Sequence, residues 1–242
     1  MNPPHSLQEE IQRNLHSVRE RMAAAAERAG RVPSEVQLVA ISKSQPLEKI
    51  TAAYECGQRA FGENRVLEGI KKQDQLPEYE DIRWHMVGHI QSRKAEDAAL
   101  HFDVIHSVDR QKIARRLDQF HAPLETRLPV YLELNVSGET SKGGWDFSQR
   151  EDWDTMLKQV RPVFELDHLK VVGLMTMAPW VGEEDVLRNT FSTLRTVRDF
   201  VQEALDRPLD QLSMGMTDDF EIAIEEGATV VRIGRAIFGE RQ

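Results

Sequence analysis

The stretch "QLSMGMTDDFEIAIEEGATVVRIGRAIFGE", Gln211–Glu240, contains two short apolar runs separated by one helical pattern. The runs "QLSMG" and "TVVRIG" have the composition of buried strands, and "DDFEIAIEE" between them has helical spacing. A strand, a helix and a second strand in this order are typical of a parallel sheet, because parallel strands need a crossover connection. This end of the chain therefore predicts an α/β fold.

The same alternation continues toward the N-terminus. The further strand-like runs are "VQLVAIS", "RAFGE", "RWHMVG", "VIHSVD", "PVYLELNV" and "LKVVGLMTM", with helical patterns between them. Eight strands alternating with helices in 242 residues are the size of a (β/α)8 barrel. An open doubly wound sheet would carry a glycine-rich turn after its first strand, where this chain has "SKSQP". We predict one TIM-barrel domain over residues 1–242.

An additional helix is predicted before the first strand, over residues 6–29. Its apolar positions recur at helical spacing, and a glycine follows as a stop signal. These positions are Leu7, Ile11, Leu15, Val18, Met22 and, for the stop, Gly30.

Composition limits the classes of partner. The net charge of -9 argues against nucleic acid and anionic membranes, and no apolar run reaches transmembrane length. The start "MNPPHSLQEE" lacks the features of a signal peptide. Cys56 is the only cysteine, which excludes an intramolecular disulfide and a cysteine-based metal site. We expect a soluble, cytoplasmic protein in which Cys56 is a packing residue.

Lys43 is the first candidate for chemistry, because it ends the strand-like run in "LVAISKSQP". In barrels of this kind, active sites lie at the carboxyl ends of the strands. Desolvation there would lower the pKa of the amine and leave a nucleophile able to form a Schiff base. The alternative is a lysine at the rim, with its stem buried and its ammonium in water.

A phosphate site is predicted at the other end of the chain. TIM barrels often bind phosphate with the loops after strands seven and eight and the start of a short extra helix. Ser213, Gly215 and Thr217 form a turn of small residues after strand seven, and Gly234 opens "GRAIFG", a short helical pattern. Backbone N–H groups and hydroxyls in this arrangement can contact an anion.

Two carboxylates stand directly after that turn and would repel phosphate. They are Asp218 and Asp219. The spacing of Asp218 and Glu221 predicts a helix capping box, which would occupy the carboxylates with backbone donors.

Arg232 is the second unusual residue, because it lies inside a strand-like run. Val231 and Ile233 share the face that packs against helices, so Arg232 points into the barrel with Val230. A buried guanidinium needs an acceptor. Glu133 on strand five is one candidate acceptor, and a ligand heteroatom is the other.

An amine, a phosphate turn and an inward arginine together match pyridoxal 5'-phosphate (PLP), which has an aldehyde, a phosphate and a ring nitrogen. The sequence also resembles the YggS/PROSC family of PLP-binding proteins, the PLP homeostasis proteins, over nearly its whole length. The resemblance is carried by "LVAISKSQP", "FGENRVLE", "WHMVGHIQSRK", "LELNVSGETSKGGW" and "LSMGMTDDFEIAIEEGATVVRIGRAIFGER". It implies a barrel similar to the N-terminal domain of alanine racemase, without that enzyme's second domain.

The resemblance also implies roles for individual residues. Lys43 would form the internal aldimine, and Arg232 would face the pyridine nitrogen. Asn64 and Met214 would line the pocket. The phosphate would be held by Ser213 and Thr217, with backbone amides around Gly215, Gly234 and Arg235.

The resemblance implies a role in intracellular vitamin B6 homeostasis. Because no second catalytic group is apparent, we expect a protein that holds PLP without catalytic turnover and delivers it to apoenzymes. Without a second domain of the racemase kind we expect a monomer, and a dimer through the long first helix is the alternative. A racemase-like PLP enzyme and a Schiff-base aldolase are the alternatives. A racemase needs a second acid–base group near the site. Tyr54 and Tyr79 lie in helix or loop patterns, and Tyr131 lies at the start of strand five, at the wrong end of the barrel. His85 and His89 have the H-x-x-x-H spacing, but the pair spans the end of a predicted strand and does not lie on a helix, so no metal is predicted. Lys142 is interpreted as a mobile loop residue, with a second amine near the site as the alternative.

Overall fold

The computed structural model describes residues 6–179 and 182–240. Within these residues, eight parallel strands close into a barrel, since β4 pairs with β5 and β1 pairs with β9. The strands are β1 (Gln37–Ile41), β2 (Ala60–Glu63), β3 (Arg83–Met86), β4 (Val104–Val108), β5 (Leu128–Asn135), β6 (Trp145–Asp146), β7 (Leu169–Met175), β8 (Gln211–Ser213) and β9 (Val230–Ile233). The predicted barrel and its eight strands are confirmed.

Helices cover the outside of the barrel. They are α1 (Leu7–Arg28), α2 (Leu47–Glu55), α3 (Val66–Gln73), α4 (Ala95–His101), α5 (Gln111–His121), α6 (Trp153–Val160), α7 (Glu184–Leu205), α8 (Phe220–Glu225) and α9 (Arg235–Phe238). Strand β6 was not predicted. It is a two-residue addition that pairs in parallel with the end of β5. The predicted domain of residues 1–242 also includes 1–5, 180–181 and 241–242, which lie outside the described residues.

The predicted N-terminal helix is present as α1. The Ser6 hydroxyl accepts from the backbone N–H of Glu9, and the Glu9 carboxylate accepts from the backbone N–H of Ser6, which completes a capping box. Its apolar face, including Ile11 and Leu15, is buried against α2, α8 and α9. Gly30 follows with φ of 66°, which is the left-handed conformation that ends many helices.

The core has two parts. The larger one fills the layer between barrel and helices, and the smaller one lies inside the barrel. The apolar residues of the interior are Val39, Ile41, Ala60, Val104, Tyr131, Met175 and Val230. No helix in the described part of the chain is both long and apolar enough to cross a membrane.

A polar chain also runs through the barrel interior. His85 Nδ1 lies 2.9 Å from His106 Nε2, and His106 Nδ1 lies 2.8 Å from the hydroxyl of Ser213. Burial lowers the pKa of His85 to about 3 and also lowers the pKa of His106, so both rings are neutral at pH 7. The ring of Tyr131 stacks on His106 with centroids 4.3 Å apart. This series of polar contacts ends at Arg232, whose guanidinium donates to the hydroxyl of Ser213.

Candidate functional site

A cavity of about 200 Å³ opens at the carboxyl ends of the barrel strands, where the sequence placed the site. Six of the nine predicted site residues line it: Lys43, Asn64, Thr217, Arg232, Gly234 and Arg235. The wall also includes Ile41, Val87, Met177, Pro179, Met216, Asp218 and Asp219, which the sequence did not single out for the pocket. The pocket therefore gathers segments at the ends of six different strands.

Lys43 lies in a turn just beyond the end of β1 and is half-buried. The ladder continues past the strand, because the backbone N–H of Ser42 donates to the carbonyl of Gly62 at 2.9 Å. The next residue, Ser44, has φ of 57°, which is uncommon for a residue other than glycine. The strand thus carries the amine to the pocket, and a tight turn follows it.

Arg232 points into the barrel, as the strand alternation predicts, and its guanidinium reaches the pocket wall. Nη1 donates to the Ser213 hydroxyl at 2.6 Å, and Nη2 donates to the backbone carbonyl of Thr176 at 2.9 Å. Burial lowers the pKa of Arg232 to about 10, so it remains a cation at pH 7. The observed acceptors differ from the predicted one, because Glu133 interacts with Arg232 only as a nearby charge.

Another corner of the pocket is formed by Thr217 and the start of α9. Gly234 is the N-cap of α9, and the first N–H groups of a helix have no acceptor within the helix. A Cβ added to Gly234 would lie 3.1 Å from the carbonyl oxygen of Ile41, so the ends of β9 and β1 approach closely here. The Thr217 hydroxyl and the backbone donors suit this corner to an anion, whereas the Arg235 guanidinium is paired with Asp218.

The predicted capping box of Asp218 and Glu221 is wrong. Helix α8 begins after Asp219, and no side chain caps it. Asp219 instead accepts from the backbone N–H of Met216 at 2.5 Å, and Asp218 pairs with Arg235 at 2.6 Å. Both carboxylates are therefore occupied, but by the turn and by an arginine seventeen residues further along the chain.

The three remaining predicted residues lie away from the pocket wall. Ser213 is fully buried in the barrel, where it contacts Arg232 and His106. Met214 is fully buried in the layer between barrel and helices, so the methionine at the pocket wall is Met216 instead. The alternation of side chains along β8 accounts for this, since Ser213 faces inward and Met214 faces outward.

Gly215 continues the strand into the turn. It has φ of 93°, and its carbonyl accepts from the backbone N–H of Arg232 at 3.0 Å. A Cβ there would lie 2.7 Å from Cβ of Ala223 on α8. Gly215 thus allows α8 to pack closely behind the turn that presents Met216 and Thr217.

Lys142 is held by its neighbours. Its Nζ donates to the hydroxyl of Ser137 at 3.0 Å and to the carbonyl of Met177 at 2.9 Å, and it pairs with Glu139. The structure thus differs from the interpretation of Lys142 as a mobile residue. Lys142 links the loop after β5 to the loop after β7 by hydrogen bonds, next to the pocket residue Met177.

The histidines predicted not to form a zinc pair diverge. His85 lies inside the barrel against His106, whereas His89 is exposed and pairs with Asp109 at 2.9 Å. Among the described residues, no three metal-ligating side chains come together.

The tyrosines lie toward the amino ends of the strands, opposite the pocket. The Tyr131 hydroxyl bonds to the side chain of Gln211, the first residue of β8. The Tyr54 hydroxyl donates to Asp81, just before β3, and its ring contacts Tyr79. A tyrosine opposite Lys43, of the kind that racemisation needs, is thus not supplied by these three residues.

Known proteins share this architecture. The family described as alanine racemase, N-terminal domain, matches residues 11–242. The pyridoxal phosphate homeostasis protein of Aquifex aeolicus is 39% identical over 228 residues, covering 94% of this chain and 97% of the relative. That of Escherichia coli K12 is 40% identical over 242 residues, covering 96% and 97%. This chain belongs to the PLP homeostasis proteins of the alanine racemase N-terminal domain family.

Solved structures agree with this placement in the PLP homeostasis family. PipY of Synechococcus elongatus PCC7942 with PLP bound has a TM-score of 0.82 and 36% identity, and the match covers 95% of this chain and all of PipY. Alanine racemase of Clostridium difficile has a TM-score of 0.72 at 13% identity, and the match covers 96% of this chain and 60% of the racemase. The racemase likeness shows the fold alone. The family resemblance and the barrel expected from the sequence are confirmed.

Proposed function

We propose that this protein binds PLP through a Schiff base on Lys43 and acts in vitamin B6 homeostasis without catalytic turnover. One observation carries the proposal: a single pocket contains the Lys43 amine, the Arg232 guanidinium and the anion-binding corner of Thr217, Gly234 and Arg235. These groups are complementary to the aldehyde, ring nitrogen and phosphate of PLP. The PLP-bound PipY structure, 36% identical to this chain, supports the same ligand.

Each part of the pocket would have a distinct role. The Lys43 amine would condense with the PLP aldehyde, with loss of water. The phosphate would accept from the Thr217 hydroxyl and from backbone N–H groups at Gly234 and Arg235. Arg232 would donate a hydrogen bond to the pyridine nitrogen. That nitrogen would then be an acceptor and would carry no proton.

Arg232 also supports the proposal that turnover is absent. A permanent cation beside the ring nitrogen disfavours its protonation, which makes bound PLP a weaker electron sink. The tyrosines lie at the far end of the barrel and supply no acid or base opposite Lys43. A bound PLP in this pocket is therefore suited to storage and release.

The cellular side of the proposal follows from the family. Relatives from bacteria as different as Aquifex aeolicus and Vibrio alginolyticus are PLP homeostasis proteins, at 39% and 40% identity. We expect the chain to act in the cytoplasm as a monomer and to supply PLP to apoenzymes that require it.

The first experiment is an absorbance titration with PLP of the wild-type protein beside Lys43→Ala. We expect a Schiff-base band in the wild type, fixed to Lys43 by borohydride and located by peptide mass spectrometry. Lys43→Ala should bind PLP more weakly and give no reducible band. A label fixed to another lysine, or no band in either protein, would contradict the proposal.

Turnover is tested on the same samples. Amino acids are incubated with the PLP-loaded protein, and racemised and transaminated products are measured against free PLP at equal concentration. The proposal predicts equal rates. Product formation far above free PLP that is lost in Lys43→Ala would support the racemase-like alternative.

A further inference from the structure

A buried lysine on α3, outside the pocket wall, contacts the turn that holds Lys43. Lys72 is only 7% exposed, although its side chain carries a charge. Its Nζ donates to the backbone carbonyl of Ser42 at 2.7 Å, to Glu63 Oε1 at 2.8 Å and to Glu68 Oε1 at 2.9 Å. All three hydrogens of the ammonium therefore have acceptors.

The same cluster also holds the other side of Lys43. Glu68 Oε1, which accepts from Lys72, accepts in addition from the backbone N–H of Ser44 at 2.5 Å. The carbonyl before Lys43 and the N–H after it are thus bound to one lysine–glutamate pair. The Ser42 side chain is fixed as well, because its hydroxyl donates to Glu63 Oε1 at 2.6 Å.

The conformation held in this way is an unfavourable one. Ser44 has φ of 57°, in the left-handed region where a residue other than glycine costs about 1–2 kcal/mol. The hydrogen bond from its N–H to Glu68 offsets that cost. The turn is therefore set by side chains of α3 as well as by its own sequence.

The cluster is also costly in itself. Burying charged groups is offset only by good pairing, and such pairs are weak contributors to stability. The side chain of Glu63 is fully buried, and its Oε2 has no hydrogen-bond partner in the described part of the chain. Burial raises the pKa of Glu63 in spite of Lys72. For Glu68, burial acts in the same direction, but hydrogen bonds from Lys72 and Ser44 outweigh it and lower the pKa.

We infer that Lys72 is a positioning residue for the pocket: with Glu68 it fixes the backbone on both sides of Lys43 and directs the Lys43 amine at the PLP aldehyde. The inference rests on the proposed function for its ligand. It assigns to α3, which lies behind the pocket, a part in retaining PLP. Lys72 itself does not contact the ligand and acts through the main chain.

The test uses variants that remove either half of the pair. Lys72→Met keeps the apolar stem and removes the ammonium, and Glu68→Ala removes the acceptor of the Ser44 N–H. Glu68→Gln is the conservative variant, since its carbonyl oxygen can still accept from Ser44. Arg31→Met is the matched control, because Arg31 also donates to backbone carbonyls, those of Ile224 and Ala228 at 2.8 Å, far from Lys43 in the fold.

Three quantities are measured on the full-length proteins: amide hydrogen exchange at residues 42–45 before PLP is added, the rate of PLP release, and the free energy of unfolding. We expect Lys72→Met and Glu68→Ala to release PLP about tenfold faster or more, as the loss of a charged hydrogen bond implies. Exchange of the Ser44 amide should accelerate in both. Glu68→Gln should stay within about threefold of the wild type, and Arg31→Met should lose stability without faster release.

Wild-type exchange and release in a folded Glu68→Ala protein would overturn the inference, and this variant decides the matter if Lys72→Met does not fold. Equal acceleration in Arg31→Met would also overturn it, because the effect would then follow general stability. Failure of the proposed function has a different signature. In that case the wild type itself forms no Schiff base, and the exchange of the Ser44 amide in the PLP-free protein still tests the positioning role.

Discussion

Arg232 Nη1 donates to the hydroxyl oxygen of Ser213 at 2.6 Å, and the same oxygen lies 2.8 Å from Nδ1 of His106. A serine hydroxyl has one proton and two acceptor lone pairs, so these contacts engage most of its capacity. His106 is neutral at pH 7, because burial lowers its pKa. Ser213 and the neutral His106, which lie inside the barrel, thus fix the orientation of the Arg232 guanidinium at the pocket.

Ser213→Ala should therefore act through Arg232. The substitution leaves Nη1 and His106 Nδ1 without a partner in a buried site, which costs about 1–3 kcal/mol of unfolding free energy. Affinity for PLP and for pyridoxal, which lacks the phosphate, should fall together, because the disturbed group is the arginine. Urea unfolding and paired ligand titrations check both points. A loss of PLP affinity alone would mean that Ser213 contacts the phosphate directly, as the sequence predicts.

Thr217→Val tests the anion-binding corner of the pocket, because it replaces the hydroxyl by a methyl group of similar size. A lost hydrogen bond to a charged group weakens binding by about tenfold or more. We expect that loss for PLP and no change for pyridoxal, in equilibrium titrations of both ligands. Thr126→Val, whose hydroxyl contacts His121 Nε2 away from the pocket, serves as the control. Equal losses for both ligands would place the phosphate elsewhere.

The position of most site residues follows from the barrel geometry alone. A lysine after the first strand and a glycine and arginine after the last strand meet at one rim, because the carboxyl ends of parallel strands lie together. The inward direction of Arg232 follows from strand alternation. The same rule, applied to β8, would have placed Met214 outside the barrel, but the family resemblance assigned it to the pocket.

Contacts between distant segments were harder to predict. Lys72 follows Lys71 in "VLEGIKKQ", a pattern that also suits a solvent-exposed helix face, and two of its three acceptors come from the ends of two strands. The capping box failed because Arg235 binds Asp218 and the Met216 N–H binds Asp219. A local motif does not reveal a competing partner from another part of the chain.

Glu133 gives the fold a distinctive pH dependence. Burial, and then the nearby carboxylate of Asp109, raise the pKa of Glu133 to about 7 from 4.5. The folded state therefore binds an extra proton between pH 4.5 and 7, so stability from this group is present at low pH and is lost as pH rises through about 7.

Glu133→Gln should remove that loss. The variant should gain stability relative to the wild type as pH rises through this window, by at most about 3 kcal/mol, and the difference should be constant above it. Urea unfolding from pH 4.5 to 8.5 measures the difference, with the exposed Glu151→Gln as control. Parallel stability curves for Glu133→Gln and the wild type would show that Glu133 does not titrate in this range.

Gly215 and Gly30 form a natural pair for testing how closely α8 must pack behind the pocket. Both have positive φ, 93° and 66°, so alanine at either position costs about 1–2 kcal/mol in backbone conformation. They differ in surroundings, because a Cβ at Gly215 would lie 2.7 Å from Cβ of Ala223, whereas among the described atoms none lies within 4 Å of a Cβ at Gly30. Overpacking adds about 1–3 kcal/mol, so Gly215→Ala should lose that much more unfolding free energy in urea than Gly30→Ala. PLP affinity should fall only in Gly215→Ala, since the carbonyl of Gly215 accepts from the N–H of Arg232 and a shifted turn moves Thr217.

Equal stability losses in the two variants would mean that α8 moves aside at little cost. Unchanged PLP affinity in Gly215→Ala would mean that the packing of α8 does not control the geometry of the pocket.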